Sequence, residues 1–266
     1  MFDNICKFLA ETFSTDFATW LLGESITLTE LSPSELSLEP IRADALILLQ
    51  SDEVVLHLEF QTQPKSDIPF RLIDYRLRVY RRFPQKRMRQ VVIYLQPTTS
   101  NLVQQTTFVL ETTRHEFEVI RLWEQPTHAF LHTPGLLPFA VLSQTNDRLS
   151  TLQQVAQQIN QITDSRTQSN VAASTFILAG LVLEAESIQR ILRRDIMQES
   201  VTYQLLQAEA KAEGRAEGRA EGSQEALRQV AMNLLREGME IAVAARVTDL
   251  SIEQVQQLAE EMENRE

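Results

Sequence analysis

The chain has 266 residues, of which 43% are hydrophobic and 23% charged, and a formal net charge of −11. That composition excludes an intrinsically disordered chain and leaves room for one large domain, or a domain with an appendage. The acidic balance argues against a protein that coats nucleic acid indiscriminately, but it leaves open a local basic patch, because attraction depends on where charge sits.

A single cysteine, Cys6, rules out an internal disulfide and fits a reducing compartment. The start of the chain lacks a basic segment followed by an apolar one, so no signal peptide is expected. The longest apolar stretch, 176–183, is interrupted by Gly180 and followed by Glu184. It is too short to span a bilayer. A soluble, cytoplasmic chain without a membrane partner is the expectation.

In chain order, Ile5, Phe8, Leu9, Phe13, Phe17, Trp20 and Leu21 recur at helical spacing and predict one amphipathic helix over 2–22. Residues 41–49 and 54–61 are β-rich runs separated by the polar turn Gln50-Ser51-Asp52-Glu53. A loop follows over 64–69 and a helix over 70–83. Residues 91–95 form an apolar run of the kind found in buried strands. Residues 107–111 and 116–123 flank a turn and predict a second hairpin. From Asp147 onward the pattern is helical. The order implies an α/β domain over 1–145 and a helical extension over 146–210, with a helical hairpin at 224–266.

Between the last two lies a repeat over 211–223 containing Ala-Glu-Gly-Arg units. Each interior glycine costs a helix about 1 kcal/mol relative to alanine. As a helix the repeat aligns Gly214, Gly218 and Gly222 in one stripe; as a coil it is a charged tether. In the terminal hairpin, Ser251 and Gln254 form a capping-box signature. From Ser251 onward there are five acids and one arginine, the wrong sign for phosphate contact. Packing or homo-oligomerisation through these helices is the expected use.

The two strands at 41–61 bring chemistry together. Arg42, Asp44, Leu46 and Leu48 share one face of the first, and Val55, His57, Glu59 and Gln61 share one face of the second. A turn centred on Ser51-Asp52 pairs Leu49 with Val54 and Leu48 with Val55. Counting down the ladder then sets Asp44 opposite Glu59 and Arg42 opposite Gln61. Two facing carboxylates repel. A hard divalent cation removes the conflict, and Mg²⁺ is typically held by one or two carboxylates with water and phosphate.

Plainer readings stand beside this one. Asp44 is also readable as an edge-strand charge that discourages aggregation, and Glu59 as the ion-pair partner of Arg42 or Arg71. The apolar setting of Glu59, within Leu56-His57-Leu58-Glu59-Phe60-Gln61, demands some partner, because an unpaired buried carboxylate is costly. His57 shares the face, as a site-lining or a packed histidine.

Between Arg71 and Arg89 there are eight basic residues and one acid, Asp74. On a helical wheel Arg71, Arg78, Arg81 and Arg82 cluster with Tyr75 at their border. Leu72, Ile73, Leu77, Val79, Tyr80 and Phe83 form the side expected on the sheet. Positive charge concentrated beside a carboxylate site suits a phosphate backbone. The alternative is a solvated face balanced by acids such as Glu111 or Glu118.

Asp44, the Glu59-Phe60-Gln61 triplet on the following strand and the basic helix opening near Arg71-Leu72-Ile73-Asp74-Tyr75 together resemble the PD-(D/E)XK nuclease superfamily. More narrowly they are similar to the Rpn group of bacterial recombination-promoting nucleases, also described as putative transposases, where a Glu-Gly-Arg repeat is familiar too. The resemblance covers 1–145. It implies a restriction-endonuclease-like core, a mixed sheet flanked by helices, acting as a Mg²⁺- or Mn²⁺-dependent DNA endonuclease without an organic cofactor.

Asp44, Glu59 and Gln61 are then the implied catalytic residues, with Asp44, Glu59 and the backbone carbonyl of Phe60 as metal ligands. Arg71, Tyr75, Arg78 and Arg82 are the implied DNA contacts. Gln61 stands where the superfamily usually has lysine, and Lys65 is the nearest substitute. A lysine orients water and offsets charge, whereas a neutral amide only hydrogen-bonds. The implied alternative is therefore a catalytically weak relative that binds DNA or a protein partner. No other chemistry competes. His115, His128 and His132 lack zinc-ligand spacing, no serine sits in a Gly-x-Ser-x-Gly setting, and no glycine loop is built to cradle phosphate.

Overall fold

Every residue of strand β3 (Val54–Gln61) is buried, and the sheet around it explains why. In the computed structural model the described residues are 2–31, 47–192, 200, 227, 229–235 and 239–263. They fall into two compact units, Met1–Gln204 and Leu205–Glu266. In the first unit β3 is the centre of a five-stranded mixed sheet with β1 (Thr29–Glu30), β2 (Ile47–Gln50), β4 (Arg87–Tyr94) and β7 (Glu118–Arg121), ordered β1-β2-β3-β4-β7. β1, β2 and β3 pair antiparallel, whereas β3–β4 and β4–β7 are parallel. A parallel step needs a crossover, supplied here by helix α3 (Ile68–Arg82). The helix starts two residues before the expected position because Pro69 fits the first turn, where its missing N–H is not needed.

Both faces of the sheet are covered. On one, Ile68, Leu72, Tyr75 and Val79 of α3 meet Leu48, Val55, Val92 and Tyr94. On the other, Phe60 stacks on Phe139 with ring centroids 5.7 Å apart, and Phe17 sets its edge against both. Phe139 belongs to the fully buried 3₁₀ segment Leu137–Leu142, against which α4 (Arg148–Asn160) and α5 (Ser165–Ala179) pack. Asp147 and Asp164 cap these two helices by accepting from backbone N–H groups of their first turns. A short α6 (Ala185–Ile191) follows.

Three expectations need correction. The amino-terminal helix is two helices, α1 (Phe2–Thr12) and α2 (Ser14–Leu22), broken at Phe13. There the Ser14 hydroxyl donates to the Leu28 carbonyl at 2.7 Å, and the Gly135 N–H donates to Asp16 at 2.8 Å. These long-range bonds tie down the break. The second hairpin is β5 (Thr107–Leu110) with β6 (Thr113–Glu116), closed by Glu111 in the left-handed region. β7 leaves this hairpin for the main sheet, where Val119 joins the core beside Phe117.

On α3, Tyr75 is only 4% exposed while Leu77 and Tyr80 are 56% and 61% exposed. Leu72, Tyr75 and Val79 recur at the spacing that faces the sheet. Phe70, Leu77 and Tyr80 are left on an outer flank, with the Phe70 ring against Phe108 of the hairpin.

The second unit contains α7 (Ile241–Thr248) and α8 (Ile252–Glu263). They pack through Ala244, Ala245 and Val255, with Leu234, Leu235, Ile241 and Leu250 alongside. The capping box forms as expected: the Ser251 N–H donates to Gln254 Oε1 at 2.9 Å, and the Gln254 N–H donates to Ser251 Oγ at 3.2 Å. The glycine repeat at 211–223 lies outside the described residues. No helix among the described residues is long and apolar enough to cross a membrane.

Candidate functional site

The β2–β3 ladder is offset from the expected one. Leu48 pairs with His57 and Gln50 with Val55, because the turn is centred on Asp52-Glu53. Its closing bond runs from the Ser51 N–H to the Val54 carbonyl at 2.9 Å, and the Ser51 hydroxyl accepts from the N–H groups of Glu53 and Val54. Moving the centre by one residue shifts the pairing by two. An even shift keeps every side chain on its expected face, but the count that set Asp44 directly opposite Glu59 no longer holds. Asp44 itself lies outside the described residues, as does Arg42.

His57, Glu59 and Gln61 share the sheet face covered by α3, towards the carboxyl end of β3. Glu59 is fully buried. Its charge is answered by Arg71 from the first turns of α3, whose Nη2 donates to Oε1 at 3.0 Å and to Oε2 at 3.3 Å. Of the partners considered from sequence, Arg71 is thus the one found. The Gln61 amide donates to Oε2 at 3.5 Å, the outer limit of a hydrogen bond. His57 Nε2 stands 3.6 Å from Oε1; it is buried and has no hydrogen-bond partner among the described residues. The Arg71 side chain is 23% exposed, so the ion pair joins a dry carboxylate to a solvent-touching cation.

Two participants escaped the sequence reading. Gln90 of β4 is in register with His57 on the parallel neighbour. Its Nε2 lies 2.9 Å from His57 Nδ1 and 2.7 Å from the Leu72 carbonyl, and its Oε1 lies 2.8 Å from His115 Nε2. His115 reaches in from β6. Burial lowers its pKa, and the nearby Arg76 adds to the effect. The available signal was a polar residue just ahead of an apolar β run, but only the β3–β4 register connects it to His57.

The implied DNA contacts separate. Tyr75 is buried with its ring edge-on to His57, 5.1 Å between centroids, and burial raises its phenol pKa. It thus lies in the core under α3, a correction to its expected place at the border of the arginine cluster. Arg78 pairs with Asp74 at 2.9 Å on the flank that also carries Arg71, and Arg82 is exposed. Arg89 is held by Glu118 through two 2.7 Å bonds, and Arg76 donates to the Met88 carbonyl. The basic run is therefore partly neutralised, and Arg78 and Arg82 continue the flank that Arg71 begins.

The donors suit a hard divalent cation in kind. Glu59 offers carboxylate oxygens. The Gln61 carbonyl is bonded to the Leu95 N–H on the β4 side, so strand alternation turns the Phe60 carbonyl towards the β2 side. Among the described residues no group of three or more His, Cys, Asp or Glu side chains gathers around a possible ion. Asp44, the other carboxylate expected from the sequence, lies outside the described residues. Comparison of the chain with family models, with curated proteins and with solved structures finds no match.

Proposed function

We propose that the first unit is a restriction-endonuclease-like domain that hydrolyses DNA phosphodiester bonds with Mg²⁺, or Mn²⁺ in its place. The observation that carries this reading is Glu59: a fully buried carboxylate near the end of a central strand, beside a buried histidine nitrogen without a partner among the described residues. Ligands of open α/β sheets characteristically gather at the carboxyl ends of the strands. In this reading Asp44, Glu59 and the Phe60 carbonyl would hold the ion, which would supply an activated water and offset charge on the scissile phosphate. Gln61 orients that water by hydrogen bonding, without the charge a lysine would add. Arg71, Arg78 and Arg82 bind the phosphate backbone.

The test is nicking of supercoiled plasmid in Mg²⁺ or Mn²⁺ by the wild-type protein, Asp44→Ala and Glu59→Gln. Wild-type nicking and its loss in both variants are expected. Cleavage that survives either substitution refutes the proposal.

One observation favours a second reading. Arg71 already neutralises Glu59, and with glutamine at position 61 a site of this kind would serve binding without turnover. A wild-type protein that binds DNA or a protein partner, yet never cuts DNA in either metal, is the outcome that selects it.

A further inference from the structure

The amide of Gln90 fixes the hydrogens around it. Its Nε2 faces the Leu72 carbonyl at 2.7 Å. A carbonyl can only accept, so this end of the amide must be the donor. The second hydrogen on the same nitrogen is directed at His57 Nδ1, 2.9 Å away, and Nδ1 has to be bare to receive it. At the other end Gln90 Oε1 accepts from His115 Nε2 at 2.8 Å. With Nδ1 accepting, the ring hydrogen of neutral His57 sits on Nε2. That is the atom buried without a partner among the described residues, 3.6 Å from Glu59 Oε1. This separation is a few tenths of an ångström beyond a hydrogen bond.

We infer that Gln90 is a positioning residue that holds His57 as the Nε2–H tautomer, so that His57 turns an N–H towards Glu59 and never serves as a metal ligand. The second half of this inference rests on the metal-site reading of Glu59; the tautomer does not. The nitrogen facing the carboxylate carries hydrogen and offers no lone pair to an ion. The ion is left with oxygen donors, the preference of Mg²⁺ and Mn²⁺, and is denied the imidazole that would draw Zn²⁺. A neighbour's hydrogen bond deciding which imidazole nitrogen faces a metal is a general device.

The full chain labelled with ¹⁵N-histidine provides the test, because two-bond proton–nitrogen correlations distinguish the tautomers. In the wild type His57 is expected as Nε2–H, with Zn²⁺ causing no shift of its Nε2 resonance. Gln90→Met removes the donor while keeping a similar volume. In that variant, with folding verified by thermal melting, His57 is expected to populate both tautomers and to shift on addition of Zn²⁺. An Nδ1–H tautomer in the wild type, a Zn²⁺ shift there, or an unchanged tautomer in Gln90→Met overturns the inference. Mn²⁺ addresses the reading beneath it, since its unpaired electrons broaden nearby signals. Broadening of His57 in the wild type that disappears in Glu59→Gln supports the ion at Glu59. An intact Nε2–H tautomer without broadening keeps the role of Gln90 and overturns its link to a metal.

Discussion

Replacing Arg71 with methionine isolates the energetics of the buried carboxylate. Glu59 is fully buried, and the Arg71 guanidinium is the only cation bonded to it among the described residues. The remaining neighbours, the Gln61 amide at 3.5 Å and His57 Nε2 at 3.6 Å, are at or beyond bonding distance. Arg71→Met therefore strands a charge in a dry environment, at a cost of about 3–5 kcal/mol. For a unit of this size each kcal/mol moves the melting temperature by roughly 2–4 °C, so a fall of roughly 6–20 °C is expected. Thermal and urea unfolding in metal-free buffer at neutral pH provide the measurement.

The double variant Glu59→Gln/Arg71→Met buries no charge and is expected to regain most of the loss, a coupling that a double-mutant cycle reads directly. Mg²⁺ is expected to stabilise Arg71→Met more than the wild type, because the cation no longer competes with a guanidinium. At one hundred times its dissociation constant a ligand contributes about 2.7 kcal/mol. A loss below about 1 kcal/mol, the scale of an exposed ion pair, would refute the claim that Glu59 depends on Arg71. No extra stabilisation by Mg²⁺ would refute the ion at that carboxylate.

In the plasmid assay Gln61→Lys is expected to preserve or raise Mg²⁺-dependent nicking, and Gln61→Ala to lower it by roughly 10²–10⁴-fold. Replacing Arg78 and Arg82 together by alanine should flatten the salt dependence of DNA binding by about 0.9 in logarithmic slope for each phosphate left without its arginine. The pKa of His115 is lowered from its ordinary 6.5 by burial and Arg76, so on acidification the unfolded chain takes up its proton first. Stability is full above that value and declines as pH falls below it. Urea midpoints from pH 7.5 downward should show the decline, and His115→Asn should flatten it. In Gly135→Ala the added Cβ would collide with the Phe13 side chain and lie 2.9 Å from Asp16 Oδ2. A loss of about 1–3 kcal/mol is expected in chemical denaturation.

What could be read in the sequence is what depends on neighbours along the chain. The Glu59-Phe60-Gln61 strand, the apolar core of β4, helix α3 and the Ser251–Gln254 capping box follow from local periodicity and local hydrogen bonding. Tyr75 was misplaced because a wheel ranks residues by polarity, whereas its ring packs edge-on to a buried His57. Leu77 and Tyr80 were misplaced for the converse reason, as apolar residues that the sheet does not reach. The ladder offset goes with a turn centred on Asp52-Glu53, where the Ser51 N–H closes the turn and its hydroxyl accepts from two backbone N–H groups. Gln90 stayed hidden because it meets His57 only through the register of two parallel strands, which no local pattern specifies.

His57, Glu59, Gln61, Arg71 and Gln90 all lie within a single uninterrupted strand–helix–strand segment, Val54 to Tyr94. Loop-closure cost rises with the logarithm of the intervening length, so these groups can find one another early, before the β5–β6 hairpin or helices α4 and α5 have docked. The five side chains thus belong to one short stretch of sequence. Of the carboxylates expected to hold a metal, Asp44 alone is encoded outside it. Under the proposed function, a substitution at Asp44 alone is expected to abolish cleavage while leaving the groups of this segment in place.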